Sequence, residues 1–168
     1  MQKDKLLYCL TADLGYKMFD KIRDNFPNNF FNVGAAEQLM IGLAIGLSYE
    51  GYIPICYSIT PFLLARPFEI IRNYINLEKI PIKLVGSGRN KEYKLDGFSH
   101  WAEDDKIILN CFPNIKSYFP KAKEDLKNIL GEFLYSNSPA FLSLSKNGGI
   151  KLHAHFSILM IDMNYSQI

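Results

Sequence analysis

A chain of 168 residues, 48% apolar and 21% charged, is long enough to bury a real core, and its ordinary composition excludes disordered, collagen-like and low-complexity classes. With 19 Lys and Arg against 17 Asp and Glu the formal charge is only +2, so no basic field marks a nucleic-acid surface. Only five or six apolar residues follow Met1-Gln2-Lys3-Asp4-Lys5, too few for a signal peptide or membrane span. Cys9, Cys56 and Cys111 are too scattered for a disulfide frame or zinc site. Reduced core thiols in a cytoplasmic protein are the expectation.

Leu6 to Thr11 is a continuous apolar run that predicts a strand, followed by an Asp13-Leu14-Gly15 loop and a helical stretch to about Asp24. Phe30-Phe31-Asn32-Val33 predicts a shorter strand ending at Gly34. Ala36 to Tyr49 reads as a helix. Leu39, Leu43 and Leu47 with Ile41 and Ile45 make it apolar nearly all round, which predicts burial, and Gly42 and Gly46 one turn apart let another backbone come close. Ile53 to Tyr57 is a strand with Pro54 near its start, where a missing N–H is tolerated. The stretch from Phe62 to Leu77 is expected to turn helical after about Pro67, and Pro81 to Gly86 is a strand. Residues 86–100, with Gly86, Gly88 and Gly97 among charged side chains, form a loop of about fifteen residues; one that long in a compact domain is usually functional. A helix from about Ala102 to Asn110, a strand Ile115 to Phe119, a helix Lys121 to Tyr135 and a strand Ala140 to Leu144 complete the series. The alternation predicts an α/β fold, a mostly parallel six-stranded sheet with helices on both faces. After Asn147-Gly148-Gly149 the chain alternates apolar and polar residues, so 147–168 is expected to be a tail forming an edge strand or arm beyond a domain of 1–146.

In such a sheet, ligands bind beyond the carboxyl ends of the strands. Four segments fall there: Thr11-Ala12-Asp13, Gly34-Ala35-Ala36-Glu37, Ser58 to Phe62, and Asp96-Gly97-Phe98-Ser99-His100. Glu37 carries a carboxylate into the first turn of a nearly all-apolar helix. Two readings stay open for it: an acid complementing the helix dipole, or a buried acid with a specific hydrogen-bond partner. His100 either faces a cleft or serves in capping or packing. His153 and His155 share one face of the tail but have no third ligand, so a metal site is not expected. Gly86-Ser87-Gly88 lacks the third glycine and the immediate helix of a dinucleotide fingerprint.

Several ordered motifs between Leu6 and Lys146 resemble the pyrimidine-binding domain of the transketolase family, as in split transketolase C-terminal subunits and 1-deoxyxylulose-5-phosphate synthase. Thr11-Ala12-Asp13-Leu14-Gly15 is similar to the family's first-strand loop. Phe31-Asn32-Val33-Gly34-Ala35-Ala36-Glu37-Gln38 resembles the stretch carrying its activating glutamate. Thr60-Pro61-Phe62 with Arg66-Pro67-Phe68-Glu69 is similar to the segment that supplies an aromatic to the cofactor. Asp96-Gly97-Phe98-Ser99-His100 is similar to the family's Asp-Gly-x-Thr-His loop. Phe112-Pro113-Asn114 and Pro139 to Lys146 match in order and spacing.

The resemblance implies thiamine diphosphate as cofactor, a domain of 1–146 that binds its pyrimidine, and roles for individual residues. Glu37 is implied to bond ring nitrogen N1′, so that the aminopyrimidine can take the proton from C2, with Phe62 stacked on the ring and Asp13 beside the cofactor. His100 and Asp96 are implied to meet substrate hydroxyls. Lys17 stands where the family often has a serine near the sugar phosphate. Gly88 replaces a substrate histidine, and Trp101 replaces a glutamine. The family holds the diphosphate through magnesium on a domain carrying Gly-Asp-Gly, which does not occur in these residues. The implied function is thus the pyrimidine-binding subunit of a split transketolase-like enzyme, inactive alone, transferring a two-carbon ketol unit between sugars or sugar phosphates. A separate diphosphate-binding subunit would complete it, as a homodimer or heterotetramer. The alternative is a transketolase-like interaction module without turnover.

Overall fold

The short apolar runs are strands because helices cover both of their faces. In the computed structural model, which describes residues 7–15 and 17–146, these are β1 (Leu7–Thr11), β2 (Phe30–Asn32), β3 (Ile53–Ile59), β4 (Lys83–Ser87), β5 (Lys116–Tyr118) and β6 (Ala140–Leu144). The 147–168 tail, with His153 and His155, lies outside the described residues. All pairings are parallel, in the order β2-β1-β3-β4-β6-β5. β3, β4 and β6 are buried along their whole length, as strands covered on both faces must be.

Helices α1 (Asp20–Asn25) and α6 (Lys123–Tyr135) cover one face, where Ile22, Leu130 and Phe133 pack with Cys9, Tyr57, Val85 and Leu142. The other face carries α2 (Glu37–Tyr49), α3 (Thr60–Ala65), the short α4 (Phe68–Ile70) and α5 (Asp105–Asn110). There Met40, Ile41, Leu63 and Leu64 meet Leu10, Cys56, Leu84 and Phe141. Among the described residues, no helix is long and apolar enough to cross a membrane.

Several elements depart from the sequence expectation. Helical structure begins at Thr60 and not after Pro67, because Pro61 occupies the first turn, where its missing N–H has no partner to lose. Pro67 separates α3 from α4, which continues as a π-helical turn over Ile71–Asn76. Asn76 fastens this turn to the segment before β5: its Oδ1 accepts the Asn114 N–H at 2.9 Å, and Asn114 Nδ2 donates to the Asn76 carbonyl at 3.1 Å. The loop after β4 contains 3₁₀ turns at Lys94–Asp96 and Phe98–His100 and an Asn90–Ala102 bridge. Helix α2 is not buried all round. Met40, Ile41 and Ala44 lie against the sheet, whereas Leu39 is 61% and Tyr49 64% exposed, and Gly42 and Gly46 face open space. One sheet face cannot cover so apolar a helix. Cys9 and Cys56 are core thiols, whose pKa burial pushes up, to about 12 for Cys9; Cys111, just past α5, is exposed and is not one.

Candidate active site

The strand order places β2 on one side of β1 and β3 on the other, and such a switch point opens a crevice at the carboxyl ends. Helix α2 begins there with Glu37, so the carboxylate sits in the field of the first-turn N–H groups. Glu37 is 2% exposed, and both of its oxygens are engaged. Ser58 Oγ, from the buried end of β3, donates to Oε1 at 2.9 Å. Arg66 Nη1, from the residue after α3, donates to Oε2 at 2.6 Å. The two readings of Glu37 are thus both realised: it is a first-turn acid and a buried acid with specific partners.

Phe62 and Arg66 stand four residues apart around α3, a spacing at which helical side chains meet. The Arg66 guanidinium carbon lies 3.8 Å from the Phe62 ring centroid. His100 meets the same ring edge-on, with centroids 4.7 Å apart. Ser99 Oγ lies 3.0 Å from His100 Nδ1 and restrains the imidazole. Glu37, Arg66, Phe62 and His100 therefore form one continuous chain of contacts. A cavity of about 500 Å³ opens beside Ala35, Glu37, Gln38 and Arg66. A second, of about 420 Å³, is walled by Phe62, Arg66, Phe98, Trp101, Glu103 and Asp104.

The other candidates sit on flanking loops. Asp13, at φ +56°, donates its N–H to Asn32 Oδ1 at 2.9 Å and accepts from Asn32 Nδ2 at 3.3 Å. Because Asn32 Oδ1 also takes the Gly34 N–H at 3.0 Å, Asp13 helps shape the loop that delivers Glu37. Lys17 is exposed at φ +61° between β1 and α1, and Asp96 is exposed in the turn ahead of His100. Glu37, Phe62 and His100 are brought together through Arg66, whereas Asp13, Lys17 and Asp96 are exposed on the loops that follow β1 and β4.

Four contributors receive no role from the sequence: Ser58 and Arg66, which lie within the segments named above, and Arg89 and Glu92. The Phe62–Arg66 spacing and a serine in the apolar β3 run were readable signals for the first two. Arg89 and Glu92 bond across more than fifty residues, which no local pattern shows. Arg89 Nε donates to Ser143 Oγ at 2.9 Å, and Nη2 donates to the Ser143 and Pro120 carbonyls at 2.5 and 2.8 Å. Glu92 accepts from Ser145 Oγ at 2.5 Å and from the Lys146 and Arg89 N–H groups at 2.8 and 2.9 Å. These bonds fix the loop that carries His100 to the end of β6.

Burial alone raises the Glu92 pKa, but the bonds from Ser145, Lys146 and Arg89 outweigh it and hold the carboxyl below its ordinary value of 4.5. A depressed folded pKa contributes stability that is full above the unfolded pKa and lost as pH falls through the folded one. Thermal unfolding should therefore lose stability below about pH 4.5, and Glu92→Gln should flatten that acid limb. An unchanged acid limb in the variant would show that Glu92 does not fasten the loop.

Comparison with known proteins gives the family of the chain. Residues 1–149 match the family described as transketolase, pyrimidine binding domain. The chain belongs to the transketolase family. It is 32% identical over 146 residues to a protein of Methanocaldococcus jannaschii described as "Putative transketolase C-terminal section", covering 86% of this chain and 46% of that one. It is 27% identical over 152 residues to the 6-deoxy-6-sulfo-D-fructose transketolase subunit SqwH of a Clostridium species, covering 90% and 47%. A solved split-gene transketolase, described as an inactive β4 tetramer, superposes with a TM-score of 0.73 at 30% identity, covering 84% and 45%. The chain thus spans about half the length of these transketolase relatives. The six-stranded parallel sheet is the fold of their pyrimidine domain.

Proposed function

We propose that this chain supplies the pyrimidine-binding half of a thiamine-diphosphate-dependent transketolase-like enzyme. In this reading it transfers a two-carbon ketol unit between sugars or sugar phosphates, and only in complex with a diphosphate-binding subunit. The observation that carries the proposal is the setting of Glu37. One oxygen is held by buried Ser58, and the other meets a flat, cationic N–H donor lying on the Phe62 ring. A protonated aminopyrimidine offers the same features, so these residues fit the cofactor. When bound, thiamine diphosphate supplies the carbon nucleophile that carries the two-carbon unit.

Each residue then has a definite task. Glu37 holds the proton at ring nitrogen N1′, and Ser58 fixes the orientation of the carboxylate that does so. Phe62 stacks against the ring, adding about 1 kcal/mol beyond area burial. His100 moves a proton at, or donates to, the substrate hydroxyls. Asp96 takes a further substrate hydroxyl, Lys17 a sugar phosphate, and Asp13 supports the cofactor side through Asn32. In this reading magnesium and the diphosphate are held by a separate subunit, which the similarity to split transketolase subunits supports. Two buried, unpaired thiols suit a reducing, cytoplasmic setting.

The open face of α2 supports assembly. Leu39, Gly42, Gly46 and Tyr49 continue into exposed Tyr74 and Leu77, an apolar surface that a second copy would cover in a homodimer or heterotetramer. Calorimetry with magnesium tests the half-site directly. Thiamine diphosphate should bind the chain combined with a diphosphate-binding subunit at about micromolar Kd or better, and the chain alone at least about 100-fold more weakly. Tight binding by the chain alone would overturn the half-site reading.

A further inference from the structure

Arg66 makes both of the contacts that the preceding reading assigns to the cofactor's ring. Its Nη1 donates to Glu37 Oε2 at 2.6 Å, and its guanidinium carbon lies over the Phe62 ring, 3.8 Å from the centroid. We infer that Arg66 is a stand-in for the aminopyrimidine: it fills the pocket of the cofactor-free chain, and the cofactor enters as this side chain swings out. The inference rests on the thiamine diphosphate reading of the Glu37 site.

The two partners differ in their freedom to move. The Glu37 side chain is 1% exposed, whereas that of Arg66 is 45% exposed. The Arg66 backbone is tied down, its N–H donating to the Phe62 carbonyl at 3.4 Å and its carbonyl accepting from Gln38 Nε2 at 3.2 Å. A swing therefore involves the side chain and leaves α3 in place. The structure also offers a destination. Arg66 lines the cavity of about 420 Å³ whose rim carries the carboxyl groups of Glu103 and Asp104. Glu103 is already paired with Lys91 at 3.3 Å, which leaves Asp104 as the better receiver for a displaced guanidinium.

The physical reason for such a residue is the cost of an uncompensated buried carboxylate. Arg66 balances Glu37 before the cofactor arrives and yields the same two contacts when it does. Occupancy of the pocket by Arg66 then lowers apparent cofactor affinity in proportion to the fraction of time the pocket is open. A stand-in present about nine-tenths of the time weakens binding about tenfold.

The test compares wild type, Arg66→Met and Arg66→Lys, each assembled with the diphosphate-binding subunit, by titrating thiamine diphosphate and magnesium in a calorimeter. Arg66→Met should bind about tenfold more tightly than wild type, and Arg66→Lys, which keeps charge but not the flat face, several-fold more tightly. The cofactor-free Arg66→Met chain should melt at a lower temperature than wild type, and cofactor should restore more of that loss than it adds to wild type. A purely structural arginine would lower stability without tightening binding. Equal or weaker binding by both variants, with wild type binding normally, overturns the stand-in and leaves the cofactor reading intact. No binding by any of the three overturns both.

Discussion

Replacing Glu37 with glutamine is expected to slow turnover of the assembled enzyme by about 100-fold or more, equivalent to about 2.7 kcal/mol. Glutamine keeps the size of the side chain and its hydrogen bond with Ser58 Oγ, which bonds Oε1 in the native site. It removes the charge that holds a proton at N1′. Cofactor affinity should fall only modestly, because stacking on Phe62 and the diphosphate contacts of the partner remain. Phe62→Ala should show the opposite balance. A stacked ring stabilises the bound cofactor before and during the reaction alike, so its loss weakens binding more than it slows the chemical step. Cofactor Kd and kcat measured on the same preparations separate the two patterns.

Lys83→Met is expected to destabilise the chain by about 2–3 kcal/mol, seen as a lower urea midpoint at unchanged slope. Lys83 is 1% exposed on the α6 side of β4. Its Nζ donates to the Ser136 carbonyl at 2.8 Å, to Ser136 Oγ at 3.1 Å and to the Ser138 carbonyl at 2.6 Å. Ser136 closes the carboxyl end of α6, where carbonyls lack intrahelical donors and the dipole favours a cation. Methionine fills the volume but leaves those carbonyls without a donor. A midpoint equal to wild type would mean that water replaces the ammonium at no cost.

Lys83 also shows where sequence reading stops. Pro81-Ile82-Lys83-Leu84-Val85 reads as a strand, and it is one, but nothing local tells that the lysine points inward to the end of a helix fifty residues later. The apolar runs at Leu7–Thr11, Ile53–Ile59 and Ala140–Leu144 were legible because a strand covered on both faces needs uninterrupted apolar side chains. Helix α2 was legible for the same reason, but its coverage was not. Composition tells how much apolar surface a helix has, and only the fold tells how much of it one sheet can hide.

The site divides along similar lines. Glu37 stood out as a carboxylate entering apolar surroundings, and His100 as an imidazole after a glycine-bearing loop. Their meeting at Phe62, which Glu37 reaches through Arg66, depends on strand order, because α2 follows β2 and passes over β1 on its way to β3, where Glu37 meets Ser58. Arg66 belongs to the segment that resembles the family's, four residues after Phe62, but nothing in the sequence gives it a role. Its bond to Glu37 spans 29 positions and becomes visible only once α2 and α3 lie side by side.

The central claim is that Glu37 acts on the cofactor's pyrimidine and is more than a charge at the start of a helix. Hydrogen–deuterium exchange at C2 of thiamine diphosphate, followed in the assembled enzyme without substrate, tests it most directly. In wild type, exchange should be fast, and in Glu37→Gln slower by about 100-fold or more at saturating cofactor. Exchange as fast in Glu37→Gln as in wild type would contradict the account and leave Glu37 a helix-terminal acid.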